Sequence, residues 1–198
     1  MINKVRNLTI FMTFLFLPLS TQAAGKTFLI TPETAKATFR GQYLGLSSFN
    51  GQFHDISGKI TSDPEKPDND NIQITINTCS LEMADKSLSS KVKSPSFLDC
   101  RRFPIITFYS TMAQWRQGAD LEVKGLLTLH GITREIRLNT KLDRQNIINK
   151  KALNFQGVIS LNRLDFDVGS RFSVIDDEIT ISFDLSALED ITQTAELK

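Results

Sequence analysis

The stretch Leu121-Glu122-Val123-Lys124-Gly125-Leu126-Leu127-Thr128-Leu129-His130-Gly131 alternates in character. Leu121, Val123, Leu127 and Leu129 share one parity; Glu122, Lys124 and Thr128 take the other. A period of two means a strand with one apolar face and one wet face. His130-Gly131 then punctuates it, short enough for a hairpin turn. The same alternation recurs on both sides of this segment. Ala35, Ala37 and Phe39 alternate with Lys36, Thr38 and Arg40, and Phe49, Gly51 and Phe53 with Asn50, Gln52 and His54. Ile72, Ile74 and Ile76 alternate with Gln73, Thr75 and Asn77, and Ile179, Ile181, Phe183 and Leu185 with Thr180, Ser182 and Asp184. Strands with one apolar face build antiparallel sandwiches and barrels, not doubly wound parallel sheets.

Between the strands lie turn signals. Residues 63–71 (DPEKPDNDN) are polar with two prolines, 117–120 (QGAD) are short, and 144–151 form a longer polar connection. The main helical candidate is residues 81–100, broken at Pro95; Ser94 as N-cap and Pro95 at the first helical position would start a second short helix. About eight or nine strands with one or two helices fit a closed antiparallel barrel, whose interior is filled by side chains or holds one small ligand.

The N-terminus is an address. Lys4 and Arg6 precede an apolar run, residues 8–19 (LTIFMTFLFLPL), and small and polar residues follow in STQAAG. This is the order of a secretory signal, and the run is short of the ~20 residues a bilayer needs. Residues 1–24 are therefore expected to be cleaved, leaving a soluble, exported, periplasmic protein without stable membrane insertion. The chain's net charge of +1 becomes −1 once the two charges of Lys4 and Arg6 are gone. No basic field remains for nucleic acid. Two Cys and two His leave little room for a protein-built metal site, and none is expected. In an oxidising compartment Cys79 and Cys100 are expected to be bonded, closing a loop worth about 3 kcal/mol. Two buried thiols are the alternative.

Three blocks resemble the YceI-like family of exported, lipocalin-like barrels. The first is Phe97-Leu98-Asp99 with Phe103-Pro104-Ile105-Ile106-Thr107-Phe108 and Ser110-Thr111. The second runs from Gly125 through His130-Gly131 to Arg134, and the third is Asn162-Arg163-Leu164-Asp165-Phe166. Gly51-Gln52-Phe53 with Gly58-Lys59-Ile60 adds a fourth likeness. The resemblance implies an extended antiparallel eight-stranded lipocalin-like barrel over residues 25–188, with one or two short helices in 81–100 and a polar tail at 189–198. It also implies an interior that holds a polyisoprenoid or another long-chain amphiphile, as storage or delivery. The chain departs from the pattern in having Asp167-Val168-Gly169 where the third block usually has Gly directly after Asp-Phe. It also lacks the histidines that the family often places near the mouth.

The candidate lumen follows from parity and from these blocks. Phe39, Phe49, Phe53, Ile74 and Ile76 come from the first half. Phe97, Phe108, Leu127 and Leu129 come from the middle, and Phe155, Phe166, Ile181 and Phe183 from the last third. Phe brings no polar atom, so such a lining suits an apolar guest, although core filling needs the same residues. Arg40, Tyr43 and Arg163 are head-group candidates; Arg163 alternatively pairs with Asp165. His130 is expected to serve its turn, His54 to face outward, and Asp99 to cap or to pair with Arg101 or Arg102. No catalytic motif occurs, and no cofactor is expected beyond a bound isoprenoid or lipid. Two other readings stay open. A lipid-modifying enzyme would need ionisable groups facing inward. An envelope stress or respiratory-chain accessory protein would show an exposed apolar patch or a free strand edge. A homodimer fits any of the three.

Overall fold

The computed structural model describes residues 26–62, 70–116, 120–141 and 152–192. The signal at 1–24, the turn at 63–69, residues 117–119, the connection at 144–151 and the tail from 193 lie outside the described residues. Within them the chain forms strands β1 (Lys26–Ile30), β2 (Ala35–Tyr43), β3 (Ser47–Phe53), β4 (Ile56–Ser62), β5 (Asn71–Asn77) and β6 (Leu81–Glu82). One helix follows, α1 (Lys86–Lys93), and then β7 (Ile105–Trp115), β8 (Asp120–Leu129), β9 (Ile132–Lys141), β10 (Ala152–Asn162) and β11 (Glu178–Glu189). Every pairing is antiparallel, and the order β1-β4-β5-β7-β8-β9-β10-β11 closes back on β1. The ring has the eight strands expected; β2, β3 and β6 extend from the edge of β11 that β1 also uses, β2 pairing at Thr180–Leu185 and β1 at Leu188–Glu189.

The eleven strands exceed the eight or nine read from alternation in part because β1 and β2 are divided by a 3-10 turn at Pro32–Thr34 and because the two-residue β6 falls in the segment expected to be helical. Pro32 lacks the N–H a continuous ladder would use, which makes the break natural. The hairpin between β8 and β9 forms as read, with Leu129 opposite Ile132. Its two residues, His130 (φ 52) and Gly131 (φ 77), both take the left-handed region that two-residue hairpins require. A side chain at 131 would also meet the Phe103 ring, since a Cβ there lies 2.7 Å from Cε1.

The helical segment differs from expectation. Leu81–Glu82 is strand, and α1 begins after Asp85, whose carboxylate accepts from the N–H groups of Ser87 and Leu88. Ser94 caps the helix end rather than starting a second helix, with its hydroxyl donating to the carbonyl of Lys91. Pro95 forbids continuation, and the turn after it is pinned by Leu98 N–H to the Val92 carbonyl. Cys79 and Cys100 form a disulfide that fastens this segment to the end of β5. The tail starts later than expected, because Glu189 still pairs with Phe28 in the sheet and its carboxylate meets Lys26 at 3.1 Å.

Candidate functional site

Alternation turns one face of each strand inward, and inside the ring those faces do not meet. They line a cavity of about 230 Å³ whose surface is apolar. An engineered cavity of about 150 Å³ with a similar lining stays dry and takes up benzene, so this larger one favours an apolar guest over water.

Phe39 on β2, Phe49 and Phe53 on β3, and Ile74 and Ile76 on β5 all line it. So do Phe108 on β7, Leu127 and Leu129 on β8, Phe155 on β10, and Ile181 and Phe183 on β11. Phe97 and Phe166 reach it from outside the strands. All thirteen candidate lumen residues are thus brought together. The sequence reading missed Ile136 and Leu138 on β9, although their spacing in TREIRLN carries the signal, and Val168 and Ile175, which sit in an irregular loop without a period.

Several rings lean over a glycine that faces them across the ladder. Phe39 pairs with Gly51, Phe49 with Gly41, and Phe183 with Gly157. A Cβ added at these glycines would come within 2.3–2.5 Å of the facing ring. Each ring therefore occupies the space that a cross-strand side chain would fill.

Both ends of the barrel are shut. At one end Phe28, Ala113, Leu121, Leu153 and Ala187 are packed solid, each at most 1% accessible. The other end is capped by two segments. Val92, Phe97 and Leu98 descend from the disulfide-bonded segment, and Phe166, Val168 and Ile175 from the chain between β10 and β11.

Arg163 organises that second cap. Its side chain is 4% accessible. Nε donates to the carbonyl of Asp176, Nη1 to that of Val168, and Nη2 to those of Ser170 and Ile175 and to the Asp177 carboxylate at 2.8 Å. Its backbone N–H also donates to the Asp177 carbonyl. The carboxylate partner is Asp177, not Asp165, because the chain folds back over the guanidinium by way of a left-handed Asp167 (φ 54) and Gly169 (φ 75). Arg163 and Thr140 are the polar residues among those lining the cavity.

The other head-group candidates lie off the cavity. Arg40 has the parity opposite to Phe39, is exposed and donates to Ser48 Oγ at 3.2 Å. Tyr43 packs at a tilt against Phe49 with centroids 4.8 Å apart and is not among the residues lining the cavity. His130 sits in the turn, but its side chain reaches beyond it: Nδ1 lies 3.2 Å from the Phe166 carbonyl and the ring is edge-on to Phe103. His54 is on the surface, 3.7 Å from Glu82. Asp99 offers its backbone, its carbonyl accepting from Arg102 and Phe103. No helix among the described residues is long and apolar enough to cross a membrane.

Comparison with known proteins agrees with the geometry. A model of the YceI-like domain matches residues 28–187. A UPF0312 protein of Enterobacter sp. (strain 638) is 31% identical over 157 residues, covering 78% of this chain and 81% of the relative. The crystal structure of Burkholderia cenocepacia BcnA superposes with a TM-score of 0.72 at 24% identity, over 79% of this chain and 98% of that one. A polyisoprenoid binding domain from Saccharophagus degradans, implicated in plant cell wall breakdown, gives a TM-score of 0.66 at 14% identity, over 83% and 98%.

Proposed function

Starting from the fact that the chain belongs to the YceI-like family, we propose that it is an exported, periplasmic carrier that holds a long-chain apolar amphiphile inside its barrel. The observation that carries this reading is the apolar cavity inside the barrel. A water takes about 10–15 Å³ of such space, so the cavity has room for on the order of fifteen to twenty water-sized groups. Each buried CH₂ of a guest gains about 0.8 kcal/mol, which gives a linear chain ample affinity. A polyisoprenoid or fatty-acid-like tail fits these terms, and the Saccharophagus degradans domain carries the same description in its name. The residues that would touch the tail are the inward Phe, Ile and Leu side chains described above. Export is supported by the N-terminal segment and by the Cys79–Cys100 disulfide, a bond that persists in oxidising compartments.

Binding is favoured over chemistry by the lining. Proton transfer or nucleophilic attack needs groups that can ionise beside the substrate. Among the described residues the lining offers Arg163, whose guanidinium is engaged by the cap, and the hydroxyl of Thr140, which donates to the Leu121 carbonyl.

The test is organic extraction of the protein purified from its periplasmic fraction, with mass spectrometry of the extract. A stoichiometric isoprenoid or acyl species supports the carrier reading and names the guest. A clean extract, together with no uptake of a long-chain probe by the purified protein, refutes it. One observation favours a partner-binding role instead. Leu44, Leu46, Phe172 and Val174 are 58–95% exposed on two loops joined by Leu44 N–H to the Val174 carbonyl. If the extract is clean and substitution of Leu46 and Phe172 by Ser abolishes capture of a specific envelope protein, that role replaces the carrier reading.

A further inference from the structure

The ring has two weak junctions. β1 and β11 share two rungs, Phe28 with Glu189 and Leu29 with Leu188, but β2 occupies the rest of that edge of β11. β9 and β10 also share two rungs, Gln156 with Lys141 and Gly157 with Thr140. There no other described strand fills the edge. Residues 158–162 of β10 and 135–139 of β9 would continue the ladder, yet they stand unpaired. At about 3.3 Å per residue this opens a slit roughly 17 Å long. It is bounded below by the last rung and above by the Phe166 carbonyl beside His130 Nδ1.

The sides of the slit are apolar inside and charged outside. Ile136 and Leu138 on one edge and Ile159 and Leu161 on the other line the cavity and keep accessible surface. Glu135 and Arg137 face out along β9, the kind of charge that keeps a free edge from pairing with another chain. Both barrel ends are closed, one by solid packing and one by the disulfide-bonded cap. Beside the gap between β3 and β4, Leu81 and Ile56 are each 0% accessible.

We propose that the β9–β10 slit is the door of the cavity, through which an apolar chain passes sideways between Ile136 and Leu138 on one jamb and Ile159 and Leu161 on the other. This rests on the carrier reading. Unpaired edges can part without breaking ladder hydrogen bonds, whereas entry at either end would require unpacking a sealed layer.

The test bridges the slit after folding. Arg137→Cys and Ser160→Cys face outward on what would be the third rung beyond the last one formed, and the two native cysteines are bonded to each other. A short bis-maleimide joins the pair. The control joins Lys59→Cys to Gln73→Cys, an existing exposed rung between β4 and β5. Stopped-flow fluorescence of cis-parinaric acid, a long-chain polyene probe, reads loading and release. The slit-bridged protein is expected to load and release at least about tenfold more slowly at little changed affinity, as for binding that must await an opening, with the control unaffected. Equal rates in the bridged and unbridged protein overturn the door alone, as does equal slowing by both bridges. Failure of the unbridged protein to take the probe at all overturns the carrier reading with it.

Discussion

Replacing Arg163 by Ala tests whether the second cap is built around one guanidinium. The substitution removes the donor from the carbonyls of Val168, Ser170, Ile175 and Asp176, and from the Asp177 carboxylate. A hydrogen bond to a charged group is worth about 1.5–3 kcal/mol in net terms, but these five share one side chain and do not add. Removing one partner of a buried charged pair costs about 3–5 kcal/mol, and that is the expected loss here. For a domain of this size each kcal/mol moves Tm by about 2–4 °C, so the midpoint should fall by roughly 6–20 °C. Most of the loss belongs to the carbonyls, because the Asp177 side chain is 46% exposed and its ion pair is screened. Asp177→Asn should therefore cost less than about 1 kcal/mol. Arg163→Lys should fall between, since an ammonium cannot fork to several carbonyls at once. Urea and thermal unfolding of the three variants provide the measurement. A loss below about 1 kcal/mol for Arg163→Ala, or an equal loss for Asp177→Asn, would refute the assignment.

Three further outcomes are expected. Leu127→Trp projects a larger ring into the cavity; it should leave stability unchanged or slightly raised while abolishing uptake of the polyene probe, whereas a filled core would lose about 1–3 kcal/mol. Replacing Cys79 and Cys100 together by Ser should lower stability by about 3 kcal/mol in urea, and an unchanged midpoint would show that the cap holds without its bond. The Arg116 guanidinium holds the Glu122 carboxyl below its ordinary value of 4.5. A lowered folded-state value adds stability above the unfolded pKa and loses it as pH falls through the folded one. The acid limb of Tm against pH should therefore be shallower for Glu122→Gln at low salt, and identical limbs would remove the pair from the stability of the fold.

The closed barrel was legible because its strands are two-faced: where Phe39, Ile74 or Phe183 stands, the next residue is polar, and the inward set can be counted off. Regular periodicity breaks in three places. In β7 the register shifts between Ser110 and Met112, so the buried parity passes from Phe108 to Ala113. In the segment after β5, α1 spans two turns with buried Ser89 and Val92, too short to show a helical stripe. In the chain before β11, Val168 and Ile175 turn inward because Arg163 gathers their carbonyls, a long-range arrangement without local pattern. Arg163 itself interrupts the apolar positions Ile159, Leu161 and Leu164. Sequence separation hid its partner: Asp165 lies nearer along the chain, while Asp177 is the residue the fold delivers.

The glycines facing Phe39, Phe49 and Phe183 give the cavity a calibre that no lining residue records. Bore is set by how far each ring can retreat into the wall, and the retreat exists only where the opposite strand has no side chain. A single methyl at Gly41, Gly51 or Gly157 would push a ring inward and narrow the passage while every contact residue stayed the same. The gauge of the guest can thus drift between chains of identical lining, and two barrels that look alike in their apolar residues can accept tails of different thickness.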